Sequence, residues 1–176
     1  MNKQIKIIEE YRADELGLPI LIKNVSVILI DGHEVMDIDY AAISKLLFAA
    51  LIIKPFSLTG AEVKFMRLFM GLTLESLARS LHVTHPTILS WERCGNNSTK
   101  MTDSTEAILR MFAAQQGAKD SELIGVILNR FFGGPNETDE TSKCATIVEL
   151  NPMRKEEVPK IHFSHKARDL RLLQEA

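Results

Sequence analysis

The sequence has few cysteines, glycines and prolines and no long apolar run, and these absences exclude several classes of protein. Its two cysteines, Cys94 and Cys144, are too few for a disulfide framework and cannot by themselves fill a structural zinc site. Nine glycines and six prolines among 176 residues exclude a collagen-like or low-complexity chain. No apolar run reaches the roughly 18–20 residues that span a bilayer, and residues 1–15 lack the basic-then-apolar order of a secretory signal. We therefore expect a cytoplasmic protein with no membrane partner.

Neither sign of charge dominates the chain. The 21 Lys and Arg side chains are balanced by 23 Asp and Glu, for a formal net charge of −2. This balance excludes affinity driven by a global positive field, such as sequence-independent coating of nucleic acid. Residues 1–57, 58–116 and 117–176 carry −2, +1 and −1, so the middle third is the least acidic part.

The first third has the pattern of a small α+β unit. Two β-branched, apolar segments lie within 20–30, and the Asp31-Gly32 dipeptide favours a hairpin because glycine accepts a positive φ. Residues 33–38 alternate polar and apolar, which predicts a half-buried return strand, and apolar residues recur at helical spacing over 40–52. We expect residues 1–57 to form a β-hairpin followed by a helix.

Helical periodicity runs through the middle of the chain. Apolar residues recur at helical spacing from Leu58 to about Arg130, and Thr59, Thr73 and Thr84 are expected to cap the first three of five helices. The first begins at a capping box formed by Thr59 and Glu62, and Gly71 is placed to close it in a left-handed conformation. The other four helices are expected at 74–81, 84–93, 105–116 and 121–132.

The last part of the chain has too few apolar residues for a core of its own. A linker composition marks 133–142, and a strand at 145–150 and a helix or ordered tail at 163–173 are expected after it. The predicted fold class is therefore α+β in three parts. They are an N-terminal β-hairpin and helix unit (1–57), a five-helix domain (58–132), and a linker with a C-terminal extension (133–176).

Two of the predicted helices, 74–81 and 84–93, are short, capped by Thr73 and Thr84, and joined by a tight turn. They have the size of a helix-turn-helix, whose second helix fits the major groove of DNA. An apolar seam is expected to hold them together. Its predicted members are Leu77, Ala78, Leu81, Val83, Ile88 and Trp91. From spacing alone, a plain helical hairpin with a solvated outer face is the alternative.

The residues left on the outside of this motif have the chemistry to contact DNA. Hydroxyl and imidazole groups can bond to base edges, while apolar groups can touch a thymine methyl. The predicted base contacts are His85, Pro86, Leu89 and Ser90. Threonines at helix starts and nearby basic side chains suit phosphates. The predicted phosphate contacts are Thr73, Arg79, Thr84, Thr87, Arg93 and Lys100.

Residues 72–92, LTLESLARSLHVTHPTILSWE, resemble the helix-turn-helix of the Cro/CI-type (XRE) regulators, with its pattern of GLT, LA, L-x-V, TI and WE. The match extends over roughly residues 58–112 and implies a Cro/CI-type DNA-binding domain. His82 stands where the family usually has a turn glycine, so the turn must hold a non-glycine residue in an unusual conformation. Cys94 intervenes where a glycine commonly follows the Trp-Glu pair.

A wider resemblance, over residues 11–112, is to the YgiT/MqsA-like antitoxin regulators. It is carried by Tyr11, Gly17-Leu18, Asn24-Val25, Asp31-Gly32 and LTGAEVKFMR at 58–67. In that family an N-terminal unit precedes a Cro/CI-type domain, and the protein dimerises and represses its own operon. Many members hold zinc through CxxC pairs, but this sequence has no cysteine before residue 94, so zinc is not carried over.

These resemblances imply a repressor that binds double-stranded DNA as a homodimer on a palindromic operator. The alternative is an antitoxin-like module that neutralises a small toxin-like enzyme through its N-terminal unit.

The pairs His82/His85 and His162/His165 have a spacing that can bind metal, but apart from Asp169 no nearby Cys or carboxylate adds to either pair. No phosphate-binding, nucleophile-elbow, zinc-protease or paired CxxC motif is present. We expect no enzyme, no metal and no cofactor.

Overall fold

The computed structural model describes residues 6–30, 32–118, 145–151, 159–164, 166, 169 and 171. These residues form an α+β structure with one five-stranded sheet and five α-helices, which confirms the predicted class. The strands are β1 (Lys6–Ala13), β2 (Ile20–Ile30), β3 (His33–Met36), β4 (Ala145–Glu149) and β5 (Lys160–Ser164). The helices are α1 (Tyr40–Ile53), α2 (Gly60–Phe69), α3 (Leu74–Ser80), α4 (His85–Glu92) and α5 (Asp103–Ala113), and a π-helical turn over Ala114–Ala118 follows α5.

The chain divides into two compact units. One comprises Met1–Leu46 with Lys143–Ala176 and contains the sheet, and the other comprises Leu47–Ser142 and contains α2 to α5. The division falls inside α1, whereas the sequence places its boundaries after residues 57 and 132. The C-terminal strands therefore group with the N-terminal strands.

β2 is the centre of the sheet, because its eleven residues take three partners. β1 pairs antiparallel along one edge. The other edge binds β4 in parallel over Leu21–Lys23 and then β3 antiparallel over Val27–Ile30. β5 pairs antiparallel with β4 and extends the sheet.

Asn24 lies between the two partners on that edge, and its backbone has a φ of 59°. Asparagine tolerates this left-handed conformation better than most residues. Asn24 Nδ2 donates to the carbonyl of Leu150 (3.4 Å), and Leu150 N donates to the carbonyl of Lys23 (3.1 Å). The two apolar segments predicted within 20–30 are thus one strand with a local irregularity at Asn24.

A row of alternating charge crosses four strands of the sheet. Glu10, Lys23, Glu149 and Lys160 lie opposite one another on β1, β2, β4 and β5. Opposite charges at paired positions contribute about 0.2–1 kcal/mol per pair. Because a slip by one residue would turn these side chains to opposite faces, the row favours the observed register.

Side chains cap the helices of the second unit largely as the sequence predicts. Thr59 and Glu62 form the expected capping box of α2, and Gly71 has the expected left-handed conformation, with a φ of 69°. α5 begins at Asp103 behind the cap Thr102, two residues before its predicted start. None of the helices in the described part of the chain has the length and apolar character needed to cross a bilayer.

Two buried ion pairs lie in the second unit. Lys54 Nζ lies 2.8 Å from Glu62, and Arg110 Nη2 lies 2.6 Å from Glu106. The Arg110 guanidinium also donates to four backbone carbonyls at 2.7–3.0 Å, those of Leu51, Ile52, Lys54 and Phe56. These contacts connect the end of α1 and the following loop to α5.

The sheet differs most from the sequence-based expectation. β1 is not predicted, because its segment KIIEEYRA places two apolar and then two acidic residues in succession instead of alternating them. The predicted strand at 145–150 is confirmed as β4, but the expectation of a helix or tail from 163 is wrong for 163–164, which pair with β4 as the end of β5. The predicted helix 121–132, the linker 133–142 and Asp31 lie outside the described residues.

Candidate nucleic-acid interface

α3 and α4 both begin at the threonines that the sequence predicts as caps. Thr73 Oγ1 accepts from the backbone of Ser76 (3.0 Å), and Thr84 Oγ1 accepts from that of Thr87 (3.3 Å). The hydroxyls of each pair also contact each other, at 2.9 Å for Thr73 and Ser76 and 2.7 Å for Thr84 and Thr87. Each helix therefore begins with two hydroxyl groups held close together.

The turn between the two helices contains a strained residue. His82 has a φ of 53°, so it holds the left-handed conformation that the sequence predicts for this non-glycine position. Val83 N donates to the carbonyl of Ala78 (3.0 Å), which closes the C-terminal end of α3. Four residues, 81–84, separate the end of α3 from the start of α4.

The predicted apolar seam is buried over most of its length. Its fully or nearly fully buried members are Leu77 (0% exposed), Ile88 (0%), Ala78 (4%) and Leu81 (5%). Val83 and Trp91 are half-buried. The side of α4 that carries Ile88 is thus fixed by packing.

The other side of α4 is open to solvent. Pro86, Leu89, Ser90 and Arg93 follow one another at i, i+3, i+4 and i+7, so they form a single stripe along the helix. Pro86, Ser90 and Arg93 are exposed and Leu89 is half-buried. His85 is exposed in the first turn. The four predicted base contacts therefore lie on accessible surface of one short helix.

The basic side chains predicted to contact phosphate differ in their surroundings. Arg79 Nη2 lies 3.3 Å from Glu75 Oε1, and both side chains are more than three-quarters exposed. A phosphate would compete with Glu75 for this guanidinium. Arg93 and Lys100 are exposed, and neither forms an ion pair within the described residues.

A buried ion pair between α2 and α4, which the sequence reasoning missed, holds α4 in place. Arg67 Nε lies 2.6 Å from Glu92 Oε1 and its Nη2 lies 3.1 Å from Oε2, so the contact is bidentate. Arg67 Nη1 also donates to the carbonyl of Leu72 (2.8 Å), just before α3. Both partners lie within the residues quoted for the resemblance, but nothing in their spacing pairs positions 25 residues apart.

Gly60 is a second residue that the sequence reasoning missed. A Cβ added there would lie 2.3 Å from the Trp91 carbonyl oxygen, 2.7 Å from Gly95 N and 2.9 Å from the Glu92 carbonyl oxygen. All three atoms are backbone, which cannot move aside easily. Only glycine therefore lets the start of α2 pack against the end of α4.

Within the described ranges, no three His, Cys, Asp or Glu side chains converge on a point that could hold a metal ion. His82 and His85 are exposed, and His165 lies outside the described residues. Cys94 is a free thiol whose Sγ donates to the carbonyl of Ser90 (3.5 Å).

No family model, curated protein or solved structure matches this chain. The Cro/CI-type resemblance of residues 72–92 therefore rests on those residues and their local geometry.

Proposed function

We propose that this chain is a sequence-specific DNA-binding transcriptional regulator in which α3 and α4 form a helix-turn-helix. The observation that carries the proposal is the two-sided character of α4. The exposed stripe from Pro86 to Arg93 projects from a helix that is anchored by Ile88 and by the Arg67–Glu92 pair. A short, exposed and rigidly held helix suits the major groove, because its first turns must meet base edges in one fixed register.

The stripe combines hydrogen-bonding and apolar groups. Ser90 and His85 can bond to base edges, and Pro86 and Leu89 can contact the methyl group of thymine. Four such contacts on one helix give a short recognition site in each half of an operator. Sequence preference would come from these residues, since contacts to phosphate carry no base information.

Phosphates would be bound at the borders of the stripe. Arg93 and Lys100 offer exposed cationic groups without ion-pair partners in the described residues. Arg79 would have to break its ion pair with Glu75 before it could bind a phosphate. The paired hydroxyls at the start of α4 can donate to a phosphate oxygen. The proposed phosphate contacts are Thr73, Arg79, Thr84, Thr87, Arg93 and Lys100.

We propose that the protein acts as a homodimer on a palindromic operator and represses transcription. A two-fold dimer presents two recognition helices, which matches half-sites about one helical turn apart. The domain arrangement proposed is that of the Cro/CI-type and YgiT/MqsA-like regulators, with an N-terminal unit before the helix-turn-helix. We infer neither a catalytic activity nor a cofactor.

Selection of duplexes from a random library by the full chain tests DNA binding directly. The selected sequences should contain a palindrome with half-sites about 10 base pairs apart. Electrophoretic shifts at low salt should then show binding to that palindrome and to the region upstream of the protein's own gene. Failure to enrich any sequence, together with no shift at low salt, would contradict the proposal.

Variants separate base reading from phosphate binding. Ser90→Ala and His85→Ala should each relax preference at particular base pairs, by about 1–3 kcal/mol for each lost contact. Arg93→Ala should weaken binding to all sequences about equally. Lys6→Ala, which removes an exposed cation from the other unit, is the matched control and should leave DNA affinity unchanged.

A second candidate function is favoured by exposed apolar side chains at one end of the sheet. Ile7, Leu29, Ile30, Val35 and Met36 are each 40–51% exposed. Leu29 and Met36 lie on one face, and Ile30 and Val35 lie on the other. Exposed apolar clusters of this kind mark protein interaction sites. The alternative function is an antitoxin-like module that binds a small toxin-like enzyme through this unit.

Co-expression with the protein encoded by the adjacent reading frame tests the alternative. A complex should elute as one species in size-exclusion chromatography and should be lost in Leu29→Lys and in Val35→Lys. Ser90→Ala should form the complex normally. If no complex forms with the native chain, the alternative is wrong, and the proposed DNA binding is unaffected.

A further inference from the structure

An open pocket lies beside the sheet of the first unit. Its volume is about 520 Å³, within the range of small-molecule sites. β2, β4, β5 and the residues that follow β5 contribute to its wall. Neither the recognition stripe on α4 nor the exposed apolar end of the sheet includes any of these residues.

Basic side chains converge on this pocket. Leu21, Ile147 and His162 are paired across β2, β4 and β5, so they lie on one face of the sheet. Lys23 is two residues from Leu21 and therefore lies on the same face. Lys166 adds a second ammonium group from the chain beyond β5. The pocket therefore combines two lysines and one histidine.

The lysines are available to a ligand. Lys23 Nζ forms a long ion pair with Glu10 Oε1, at 3.9 Å, but within the described residues it donates no hydrogen bond, so a ligand would compete only with this long contact. Glu149, opposite Lys23 in the charged row, does not hydrogen-bond to it either. Lys166 is exposed, and its side chain makes no ion pair with the described residues.

Asp169 also lines the pocket, but its carboxylate already accepts a hydrogen bond from the protein. Asp169 is 4% exposed, and the buried Ser164 hydroxyl donates to its Oδ2 at 2.5 Å. The same hydroxyl accepts from the backbone of Lys166 (3.2 Å), so Asp169 and Ser164 hold the segment that carries this lysine. Among the described lining residues there are two ammonium groups and one carboxylate, and Glu10 and Glu149 lie beside Lys23 in the charged row.

We propose that this pocket binds a small organic anion, in which a carboxylate or phosphate group is attached to an apolar body. Lys23 and Lys166 bind the anionic group. Phe163, which is half-buried, packs against the apolar body, and the buried Ile147 lies behind the pocket wall. The two parts of such a ligand match the two kinds of wall, since charge-assisted hydrogen bonds orient it and apolar contact adds affinity.

Phenyl phosphate is the probe, with benzyl alcohol as its neutral analogue and inorganic phosphate as the anion without an apolar body. Titration of the ¹⁵N-labelled full chain, followed by amide chemical shifts, gives the site and the affinity. Phenyl phosphate should shift the amides of Lys23, Ile147, His162 and Ser164 and bind more tightly than either analogue. No shift at these amides, or equal affinity for benzyl alcohol, would overturn the proposal.

Lys23→Met and Lys166→Met test the role of the charges while keeping most of each apolar stem. Each should weaken phenyl phosphate binding about tenfold, because a charge-assisted contact is lost. Lys160→Met removes a cation from the same charged row but outside the pocket wall, and it should change the affinity less than twofold. Urea unfolding of each variant reports whether the sheet is intact. Unchanged affinity in both pocket variants would refute the assignment.

Discussion

At the scale of single residues, Tyr11, Glu15 and Tyr40 form the electrostatic cluster of the first unit. The Tyr11 hydroxyl donates to Glu15 Oε1 at 2.5 Å. This hydrogen bond favours the neutral phenol and the charged carboxylate together, so it raises the pKa of Tyr11 and lowers the pKa of Glu15. Burial, and then the charge of Glu15, raise the pKa of Tyr40.

We expect Tyr11→Phe to raise the pKa of Glu15 toward its ordinary value of 4.5, because the largest cause of the lowered pKa is removed. The lowered pKa contributes stability that is present above pH 4.5 and lost as the pH falls through the lowered value. The variant should therefore lose less stability than the native chain over this acid range. A carbon-13 NMR titration of the carboxyl group and urea unfolding at each pH measure the two effects.

Tyr40→Phe is the matched control, since Tyr40 makes a smaller contribution to the pKa of Glu15 than Tyr11 does. Its effect on the pKa of Glu15 should be the smaller of the two. The assignment fails if the pKa of Glu15 stays the same in Tyr11→Phe.

Gly60→Ala should destabilise the second unit by about 1–3 kcal/mol, because the new methyl group overlaps three backbone atoms at residues 91–95. The substitution would otherwise favour the helix, since alanine has the higher helix propensity. Urea unfolding followed by circular dichroism measures the change. Lys64→Ala, at an exposed position of α2, is the control and should stay within about 0.5 kcal/mol. An unchanged unfolding midpoint in Gly60→Ala would show that α2 does not pack this closely on α4.

At the scale of elements, α1 ends without a cation of its own. Its last turn has no basic residue, and its terminal carbonyls are bound instead by Arg110 of α5, which is fully buried. Glu106 balances the charge of Arg110 and also accepts from the backbone of Leu58 (3.2 Å). One guanidinium therefore caps a helix, fixes the following loop and joins both to α5.

Arg110→Met should destabilise the chain by about 3–5 kcal/mol, because it leaves the buried carboxylate of Glu106 without its cation and several carbonyls without a donor. Thermal and urea unfolding measure the loss. The double variant Arg110→Met/Glu106→Gln should recover part of the stability, since the uncompensated charge is then gone. Arg79→Met removes an exposed arginine of a surface pair and should cost about 0–1 kcal/mol. Equal effects of the two single variants would contradict the capping role.

At the scale of the whole molecule, the net charge of −2 limits how the proposed DNA binding can work. The middle third carries +1, and the residues on both sides of it are net acidic. Affinity from a broad positive field is therefore unavailable, and the interface depends on a few placed groups. The acidic parts should weaken binding to DNA of arbitrary sequence.

The salt dependence of operator binding should show this small number of contacts. Arg79, Arg93 and Lys100 supply three cations per copy, so a dimer that neutralises about six phosphates should give a slope of log K against log salt near −5. Fluorescence anisotropy with labelled operator over a range of salt measures it. Arg93→Ala should reduce the magnitude of the slope by about one for each copy. A slope near −10 would mean that many more cations contact the DNA.

Much of the candidate interface could be predicted from the sequence, because its features are local. The caps Thr73 and Thr84 bond to amides three residues away, and the Cro/CI-type resemblance implies the unusual conformation of His82, since it stands where those regulators usually have a glycine. The Arg67–Glu92 pair could not be predicted, since it joins residues 25 positions apart through the packing of α2 on α4. The same holds for Gly60, whose need for a hydrogen in place of a side chain depends on the backbone of residues 91–95.

By itself, then, the sequence determined that helices occupy α2 to α5, which residues cap α2, α3 and α4, and which stripe of α4 faces solvent, because periodicity and capping act within about four residues. Only the tertiary structure decided how the sheet is built. β4 runs beside β2 although Asn24 and Leu150 are 126 residues apart, and Arg110 binds carbonyls 54–59 residues before it. Pairing between such distant segments is selected by burial and by complementary charges in register, which exist only once the chain has folded.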